Sequence, residues 1–402
     1  MPDEGAGPSA DSHRPRRGAE ESPTLRALAE QLSDNVRRGV RKQGEQVVQV
    51  PASRYLDPDW FARERQHLFG ERPLCLGHAS EVAEPGSVMR FDATGIPLLI
   101  VRDAQGQLQG LVNVCRHRGM RLVEERSCSA RRTLSCPYHG WTYELDGRLR
   151  NIPLAEAFEG VDRTDFDLLK FPVAERGGLI WGIPKAGASF DADAWLGPLV
   201  DDLAWFGIPD SVLFRRFESE RACNWKLVIE AFIEVYHIRV LHRDSIYPFF
   251  HDAQSNWHVY NGHERMIVAR RGSESEPAWS DDPREVRDRW TYSHLLFPNM
   301  IVVVHPDYVS CLSLWPLAPN RTRWSHAMLI PRAKSTPDWT PHWEKTMGLL
   351  EQTVFQKEDL YAAEGIQEGL SSGANDVVTF GKLEFLLGEF HRNIAAAVER
   401  KS

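Results

Sequence analysis

The chain has 402 residues, 42% of them hydrophobic and 26% charged, and a formal net charge of −8. This size and composition are typical of a globular protein with two domains, or with one large fold that carries an inserted module, and they exclude a disordered chain. An acidic chain without a basic stripe interleaved with aromatic residues is not expected to bind nucleic acid.

The sequence has neither a predicted membrane span nor a predicted secretory signal. No stretch has the apolar length needed to cross a bilayer, and the first residues do not follow the basic-then-apolar order of a secretory signal. We therefore expect a cytoplasmic protein without a membrane partner. Six cysteines are too few for a disulfide scaffold in a chain of this length. In a reducing compartment, clustered Cys and His residues favour metal binding instead.

The N-terminal part of the chain predicts a tail followed by two helices. Residues 1–22 combine Pro, Gly, Ser and mixed charge without periodicity, which indicates a flexible tail. From Pro23 onward, apolar residues recur every three or four positions up to Gly39, a pattern typical of an amphipathic helix that a glycine ends. A second short helix is predicted over 58–68, with Asp57 as its cap.

Residues 71–185 change to short apolar runs broken by turns, which predicts a compact β module. Within it, Asp146 and Gly147 form a pair typical of a tight hairpin turn, because both residue types tolerate a positive φ. Beyond the module, helices and strands alternate along the chain. Helices are predicted at 192–206, 227–241, about 340–370 and the C-terminus, and strands near 257–270, 300–315 and 323–330.

Two loops of the β module each contain one cysteine and one histidine. Cys115 and His117 lie two residues apart, Cys136 and His139 lie three apart, and 18 residues separate the two pairs. Two loops of this kind can hold one bimetallic centre between them. In a Rieske 2Fe-2S cluster one iron takes two cysteines and the other takes two histidines, so each loop would give one ligand to each iron.

A structural zinc site with two cysteines and two histidines is the alternative for these loops. Zinc loops usually present cysteine pairs spaced C-x2-4-C, whereas each loop here carries one cysteine and one histidine. The glycine and proline residues beside the ligands suit tight loops whose backbone N–H groups can point at cluster sulfurs. The spacing therefore favours the Rieske cluster.

A second set of metal ligands is predicted near the middle of the chain. His237 and His242 are five residues apart on or near a predicted helix. In an ideal helix such positions point about 140° apart, so both can reach one ion only where the helix unwinds or bends. Two imidazoles and one carboxylate form the facial triad of non-haem Fe(II) oxygenases, which leaves open positions for O2 and substrate. Either histidine alone would more often be a hydrogen-bonded core residue.

The two sets together resemble the Rieske non-haem iron oxygenases, the family of the aromatic-ring-hydroxylating dioxygenase α subunits. The first set resembles the family's Rieske module through the motif C-x-H-x18-C-x2-H with HRG and CPYHGW surroundings. The second set resembles the family's region N-W-K, E-N-x2-[DE]-x-Y-H-x4-H. The likeness extends over most of residues 50–372.

The resemblance implies roles for two carboxylates. The family takes the acid of its triad from a late helix with an acidic pair, which points to Asp359 and leaves Glu358 as the alternative. Glu234 matches a carboxylate that bridges the Rieske histidine of a neighbouring subunit to an iron-binding histidine. Hydrogen bonds to both imidazoles would hold their tautomers and shorten the path of the electron. Each of these acids could instead be an ordinary helix-surface residue.

The resemblance also implies an α+β fold, in which a Rieske iron-sulfur β module is inserted in a helix-grip (START-like) catalytic domain with an antiparallel sheet. The chain then divides into a tail, N-terminal helices that pack with the catalytic domain, a Rieske 2Fe-2S domain and a mononuclear iron catalytic domain, at 1–22, 23–70, 71–185 and 186–402. A head-to-tail homotrimer would pair each Rieske centre with its neighbour's iron. Phe232, Phe297 and Asn299 are the candidates for lining the substrate pocket.

The enzyme implied by the resemblance is a terminal oxygenase that uses O2 and electrons from a separate NAD(P)H-dependent reductase, with or without a ferredoxin. The chain itself has no GxGxxG nucleotide-binding signature. Glu234 stands where aromatic-ring dioxygenases usually have Asp, and Ala231 where an Asn is common, which resembles the choline- and carnitine-type monooxygenases. We expect hydroxylation or oxidative N-demethylation of a small amphipathic substrate. Cis-dihydroxylation or monohydroxylation of an aromatic ring is the second hypothesis, and a non-enzymatic electron carrier the third.

Overall fold

The computed structural model describes residues 23–275, 278–280 and 282–399. The tail predicted at 1–22 lies outside the described residues. No helix within the described ranges is long and apolar enough to cross a membrane.

Twenty strands are present in the described part of the chain. In chain order they are β1 Val48–Pro51, β2 Leu74–His78, β3 Val88–Phe91, β4 Leu98–Arg102, β5 Leu108–Val112, β6 Ser127–Cys128, β7 Leu134–Ser135, β8 Thr142–Tyr143, β9 Leu149–Asn151, β10 Lys170–Phe171, β11 Val173–Arg176, β12 Leu179–Gly182, β13 Ser211–Arg221, β14 Phe250–Tyr260, β15 His263–Arg270, β16 Trp290–Leu296, β17 Met300–Val304, β18 Val309–Ala318, β19 Arg321–Pro331 and β20 Val377–Phe380.

The same residues form eleven α-helices, two π-helical segments and several single 3-10 turns. The α-helices are α1 Leu25–Arg38, α2 Ser53–Leu56, α3 Pro58–Glu64, α4 Ala192–Leu196, α5 Leu199–Trp205, α6 Trp225–Phe232, α7 Ile238–Leu241, α8 Pro283–Arg289, α9 Thr340–Leu349, α10 Leu360–Ser371 and α11 Phe385–Val398. The π-helical segments are Arg65–Phe69 and Leu350–Asp359.

A seven-stranded antiparallel sheet, in the order β13-β19-β18-β17-β16-β15-β14, forms the centre of the larger part of the protein, which we call the main domain. Helix α6 packs on the central strands of one face, where Phe355 of the second π-helical segment also contacts Trp324 of β19, with ring centroids 5.3 Å apart. On the other face, Tyr292 of β16 packs against Phe206 after α5 at 4.9 Å. Both faces are covered, which explains why the central strands read as continuous apolar runs such as MIVVV.

The β module is inserted between segments of the main domain. β1 precedes the module and pairs with β20 near the C-terminus, and α1 packs on β14 and β15. Side chains of β4 alternate between two cores, since neighbouring strand residues point to opposite faces. Leu98 and Ile100 belong to the main core, whereas Leu99 and Val101 belong to a small core that also contains the two cysteines of the predicted cluster. This arrangement is the predicted α+β fold with its inserted module.

Both predicted N-terminal helices are present. Thr24 caps α1 through a hydrogen bond from the N–H of Ala27, and Gly39 ends it with a φ of 65°. Asp57 caps α3 by accepting the N–H of Asp59 at 2.8 Å. The second helix then continues into the first π-helical segment up to Phe69.

Two other predicted helices are interrupted. Gly197, with a φ of 52°, and Pro198 split the helix predicted at 192–206 into α4 and α5. The helix predicted at 227–241 ends at Phe232 and resumes only after His237. The periodicity of the sequence does not record either break, because the apolar spacing continues across both.

Two of the differences between the predicted and the observed β structure have a clear physical reason. At the hairpin between β8 and β9, Gly147 has a φ of 91°, but Asp146 is not among the residues with positive φ. The Asp146 carboxylate instead accepts the N–H of Arg148 at 3.1 Å and stabilises the turn. Strand β13 was not predicted, because its sequence SVLFRRFESER is rich in charged residues on the partly exposed edge of the sheet.

Candidate metal centres and substrate cavity

Two loops of matching shape carry the predicted cluster ligands. In each loop the cysteine carbonyl accepts a hydrogen bond from the N–H of a glycine, which is Gly119 at 2.9 Å for Cys115 and Gly140 at 3.0 Å for Cys136. Both glycines have a positive φ, 82° and 73°, which glycine adopts without the steric cost that a Cβ atom imposes.

The cysteines lie inside and the histidines lie outside. Cys115 and Cys136 are buried and unpaired, and the Tyr143 hydroxyl lies 3.3 Å from the Cys115 sulfur. His117 is half-buried and His139 is exposed, with their ring centroids 4.7 Å apart. Each loop therefore brings one thiol to an inner position and one imidazole to an outer position.

This donor arrangement fits a two-iron cluster better than a single zinc ion. A tetrahedral zinc site needs four donor atoms around one point. Among the described residues, only one group of three or more Cys, His, Asp or Glu brings its donor atoms within 4.8 Å of one another, and that group does not include the cysteine loops. Two inner thiols and two outer imidazoles match the ligands of the two irons of a Rieske cluster.

The group that does converge consists of His237, His242 and Asp359. The Asp359 oxygen Oδ1 lies 3.0 Å from Nε2 of His242 and 3.7 Å from Nε2 of His237. The ring centroids of the two histidines are 5.1 Å apart. We call these three residues the triad.

Irregular helical geometry brings the triad together. His237 and His242 flank the short helix α7. The backbone of His242 is no longer helical, with φ −99° and ψ 21°. Asp359 is the last residue of the second π-helical segment. In such a segment each backbone hydrogen bond spans one residue more than in an α-helix, and these segments are frequent at functional sites. Sequence spacing called for a bend between the histidines, but it did not indicate the π-helical segment.

Two further carboxylates contact the outer nitrogens of the imidazoles. Glu234 accepts a hydrogen bond from Nδ1 of His237 and also contacts the backbone N–H groups of Tyr236 and His237. Glu358 lies 2.8 Å from Nδ1 of His242. Carboxylates at this position fix the tautomer of a metal-binding histidine and turn its other nitrogen toward the metal. The geometry therefore places Asp359 in the triad and Glu358 outside it.

The charges of this region suit a bound cation. Burial lowers the pKa of His237 and of His242, but the neighbouring carboxylates outweigh burial and leave both pKa values raised. The surroundings thus stabilise positive charge at the triad. Two imidazoles and one carboxylate form the donor set that non-haem Fe(II) prefers.

A cavity of about 110 Å³ borders the triad. Its wall is mostly apolar and includes the aromatic rings of Phe232, Phe250 and Phe355, and none of its lining residues is lysine or arginine. Helical segments that carry the triad form one wall, and strands β15, β16 and β17 form another. The polar residues on this side are Thr291 and Ser293 of β16, and His305, which directly follows β17.

One of the three predicted pocket residues lies at this cavity. Phe232 lines it, whereas Phe297 is buried near Phe390, with ring centroids 6.5 Å apart. Asn299 donates a hydrogen bond from Nδ2 to the carbonyl of Leu314. The structure does not bring Phe297 or Asn299 to the cavity, because they lie in and beside the turn after β16, beyond the residues of that strand that line it.

Sequence reasoning missed the polar residues of the strand wall. Thr291 and Ser293 alternate with buried aromatic or imidazole side chains in the run WTYSHLL, and all of its residues are buried. Small hydroxyl residues within an otherwise apolar buried strand were the available signal. That signal cannot show which face of the sheet borders a cavity.

Two protein-family models match the chain in tandem. The Rieske [2Fe-2S] domain matches residues 72–170, and the catalytic domain of the ring hydroxylating alpha subunit matches residues 210–400.

Several curated proteins are similar to the chain over most of its length. The carnitine monooxygenase oxygenase subunit of Acinetobacter pittii is 26% identical over 325 residues, which are 79% of this chain and 84% of that protein. The chloroplastic choline monooxygenase of Beta vulgaris is 25% identical, over 82% of this chain and 72% of that protein. The chlorobenzene dioxygenase subunit alpha of a Cupriavidus strain is 34% identical over a shorter part, 46% of this chain and 42% of that protein.

Solved structures share the fold. A quaternary ammonium Rieske monooxygenase in complex with an inhibitor superimposes with a TM-score of 0.76 at 22% identity, and the match covers 86% of this chain and 94% of that one. Naphthalene 1,2-dioxygenase from a Rhodococcus strain, bound to indole, gives a TM-score of 0.76 at 19% identity, over 94% of this chain and 99% of that one.

Proposed function

Because the chain belongs to the Rieske non-haem iron oxygenases, with a 2Fe-2S domain and a non-haem iron catalytic domain in one chain, we propose that it oxidises a small quaternary or tertiary amine with O2. In this proposal Cys115, His117, Cys136 and His139 hold the cluster, and the triad of His237, His242 and Asp359 holds the iron. The cluster would supply single electrons, and the iron would supply the activation of O2.

The cavity beside the triad is the observation that carries this proposal. Its aromatic rings can attract an alkylated ammonium group through cation–π interactions, and the carboxylates of Glu234 and Asp359 line the same cavity. No lysine or arginine in the lining repels a cation. The names of the relatives, which are carnitine and choline monooxygenases, support an amine as the substrate class.

The proposed reaction hydroxylates a carbon bonded to the substrate nitrogen. One oxygen atom of O2 enters the C–H bond, and the other leaves as water after uptake of two electrons and two protons. The resulting carbinolamine then separates into an amine and an aldehyde, which completes an N-dealkylation such as N-demethylation. The contributions of the chain are to hold the substrate in an apolar cavity, to exclude water and to fix both imidazoles through Glu234 and Glu358.

The proposal includes partners that deliver electrons. A separate NAD(P)H-dependent reductase is supported by the absence of a nucleotide-binding signature in the sequence. A homotrimer with neighbouring centres is supported by exposed aromatic side chains next to both centres. Tyr236 beside Glu234 is 62% exposed, and Tyr138 beside His139 is 55% exposed. A cytoplasmic location stays a prediction, supported by the sequence features given above.

Oxidation of an aromatic ring is the second candidate. It is favoured by the apolar character of the cavity wall and by the partial likeness to a chlorobenzene dioxygenase subunit. The two candidates differ in product, since an amine substrate yields an aldehyde and a ring substrate yields a cis-diol or a phenol.

A reconstituted assay can separate these candidates. The chain, loaded with iron and sulfide, would be mixed with a reductase of broad specificity and NADH, and then offered quaternary amines, tertiary amines and arenes. We expect amine-stimulated NADH and O2 consumption with matching aldehyde formation, and no turnover by His237→Ala. A cis-diol from an arene, with hydrogen peroxide as the sole product in the presence of amines, would contradict the amine proposal.

A further inference from the structure

The strand wall of the cavity contains a polar pair. The register of β16 and β17 pairs Ser293 with Val303 and Tyr292 with Val304. The next pair in this register, directly beyond the end of β17, is Thr291 and His305. Both residues line the cavity. The neighbouring row contains Ser293 and Val303. Thr291 and His305 therefore form one polar row within an otherwise apolar wall.

The His305 ring is held by stacking, but one of its nitrogens lacks a hydrogen-bond partner. It stacks on the Tyr308 ring at a centroid distance of 4.2 Å and an angle of 16°, and its backbone N–H donates to the Tyr308 carbonyl at 3.0 Å. Its Nε2 atom is buried without a hydrogen-bond partner among the described residues. Since an unsatisfied buried polar group is destabilising, a ligand or water that supplies the missing hydrogen bond would be stabilised here.

The imidazole of His305 is neutral. Burial, followed by the charges of Arg270, His326 and Arg287, lowers its pKa to about 3. A neutral imidazole has one N–H donor and one acceptor nitrogen. It therefore carries no charge that would repel an amine cation in the same cavity.

The Thr291 hydroxyl can also donate a hydrogen bond. Arg270 donates a hydrogen bond to the Thr291 hydroxyl oxygen at 3.3 Å, which leaves the hydroxyl proton of Thr291 for another acceptor. By contrast, the Ser293 hydroxyl donates to the carbonyl of Phe232 at 2.6 Å. The positive charge of Arg270 favours an electron-rich atom as the acceptor of the Thr291 hydroxyl proton. Nearby Asp288 offsets part of that charge.

We propose that Thr291 and His305 bind a hydrogen-bond-accepting oxygen of the substrate, either a hydroxyl or a carboxylate oxygen. This inference rests on the proposed function in taking the ligand to be the substrate of the same cavity. The triad lies in the helical wall and the polar pair in the strand wall. A substrate held by its oxygen at the strand wall presents its remaining part to the triad, so the pair determines which carbon is oxidised.

Equilibrium binding of matched ligand pairs tests the inference without turnover. The ligands would be titrated calorimetrically into the iron-loaded protein under anaerobic conditions, without reductant. The pairs are choline and ethyltrimethylammonium, γ-butyrobetaine and butyltrimethylammonium, and benzyl alcohol and toluene. The first two pairs distinguish a hydroxyl from a carboxylate, and the third removes the amine. We expect the wild-type protein to prefer the oxygen-bearing member of at least one pair by about tenfold, the typical effect of one hydrogen bond.

Substitutions then assign that preference to the pair. His305→Leu and Thr291→Val are expected to reduce the preference to about twofold or less, whereas His305→Gln, which keeps a donor, retains a larger part of it. Ser293→Ala is the matched control in the neighbouring row and should leave the preference in place. Cluster absorbance and thermal unfolding of each variant show that it is folded.

The outcomes separate this inference from the proposed function. A preference for benzyl alcohol over toluene that His305→Leu removes, without binding of any amine, supports the polar pair and contradicts the amine proposal. Amine binding without an oxygen preference in any pair overturns the inference and leaves the amine proposal standing. An oxygen preference that persists in both His305→Leu and Thr291→Val also overturns it.

Discussion

Two adjacent acids contact the two nitrogens of one imidazole. Asp359 lies 3.0 Å from Nε2 of His242, and Glu358 lies 2.8 Å from Nδ1 of the same ring. Ser245 donates a further hydrogen bond to Glu358 at 2.8 Å. The neighbouring acids thus differ in role, because one faces the centre of the triad and the other faces outward.

The two acids should differ in their effect on iron content. Asp359→Ala removes one of three donors, so we expect loss of the mononuclear iron, while Glu358→Ala keeps all three donors and weakens iron binding by about 10-fold to 100-fold. Iron per chain, measured by emission spectrometry after dialysis against a chelator, checks this. Cluster absorbance should be unchanged in both variants. Loss of the mononuclear iron from Glu358→Ala, with retention of that iron in Asp359→Ala, would reverse the assignment.

Glu234 is expected to affect electron transfer more than metal binding. Its carboxylate contacts Nδ1 of His237 from outside the triad, so Glu234→Gln removes the charge while the triad stays intact. We predict that reoxidation of the reduced cluster in a single turnover with substrate and O2 slows by at least about tenfold. Stopped-flow absorbance measures this rate. Unchanged reoxidation with normal iron content would show that Glu234 is not on the electron path.

Sequence alone could predict the candidate ligands of the cluster because each pair of ligands is local. A thiol and an imidazole two or three residues apart lie on one loop whatever the fold, and Cys115 with His117 is such a case. The cavity wall is different, since Phe250, His305 and Phe355 lie far apart in the sequence and meet only through the sheet and the helix across it. Phe297 was a reasonable candidate by position, but the turn after β16 directs it into the core.

At the scale of elements, the sequence predicted where helices occur but not where they change type. The predicted helix at about 340–370 exists as α9, a π-helical segment and α10 without interruption. Its apolar spacing does not distinguish backbone hydrogen bonds that span four residues from bonds that span five, because Val354 and Phe355 are buried side by side. The break before His237 has a side-chain cause, since Glu234 contacts the N–H groups of Tyr236 and His237.

A buried ion pair ties α3 to α6. Lys226 is fully buried and its Nζ atom donates to Glu64 at 2.7 Å. The same carboxylate accepts the indole N–H groups of Trp60 at 2.7 Å and Trp225 at 3.0 Å. The N-W-K motif therefore has a structural function in this chain, because it begins the helix that leads to the triad.

Removal of the Glu64 charge should be strongly destabilising. Glu64→Gln leaves the Lys226 ammonium buried without a counter-charge, and we expect a loss of about 3–5 kcal/mol of unfolding free energy at pH 7. The double variant Glu64→Leu/Lys226→Met, which removes both charges, should lose less. Urea unfolding followed by tryptophan fluorescence measures both, and equal stability of Glu64→Gln and the wild type would contradict the role of the pair.

The Glu64→Gln variant should gain stability as pH rises. Burial already lowers the pKa of Lys226 below its usual value despite the attraction of Glu64, and loss of that carboxylate lowers it further. The folded state then binds fewer protons than the unfolded state between the lowered pKa and the usual pKa near 10.4. Stability of Glu64→Gln should therefore rise with pH over that window, relative to the wild type at each pH. A flat difference between the two proteins would show that Lys226 is not the titrating group.

At the scale of the whole molecule, the two centres lie in regions with different cores. The cysteines of the cluster loops belong to the small core of the β module, and the strands around the cavity belong to the main core. Each centre also has an exposed side: His139 and Tyr138 at the cluster loops, and Tyr236 next to His237 and Val240 on α7. Exposed aromatic and apolar groups next to redox centres are the type of surface that protein contacts cover.

The proposed trimer predicts that two inactive variants restore each other. His139→Ala should disable the cluster and His237→Ala the mononuclear iron, so each protein alone should be inactive. If electrons pass between neighbouring subunits, a mixed trimer contains pairs in which an intact cluster meets an intact iron site. A mixed head-to-tail trimer contains one such pair among its three contacts, so we expect about one third of wild-type activity.

Co-expression of the two variants with different affinity tags, followed by purification through both tags, isolates the mixed assemblies for this test. Light scattering should give the mass of three chains, and the substrate-dependent rate should rise from background to a substantial fraction of the wild-type rate. A double variant that carries both substitutions in one chain, co-expressed with itself under two tags, is the matched control and must stay inactive. Mixed trimers without activity would mean that the cluster and the iron communicate within one chain, in which case the exposed groups around Glu234 serve another contact.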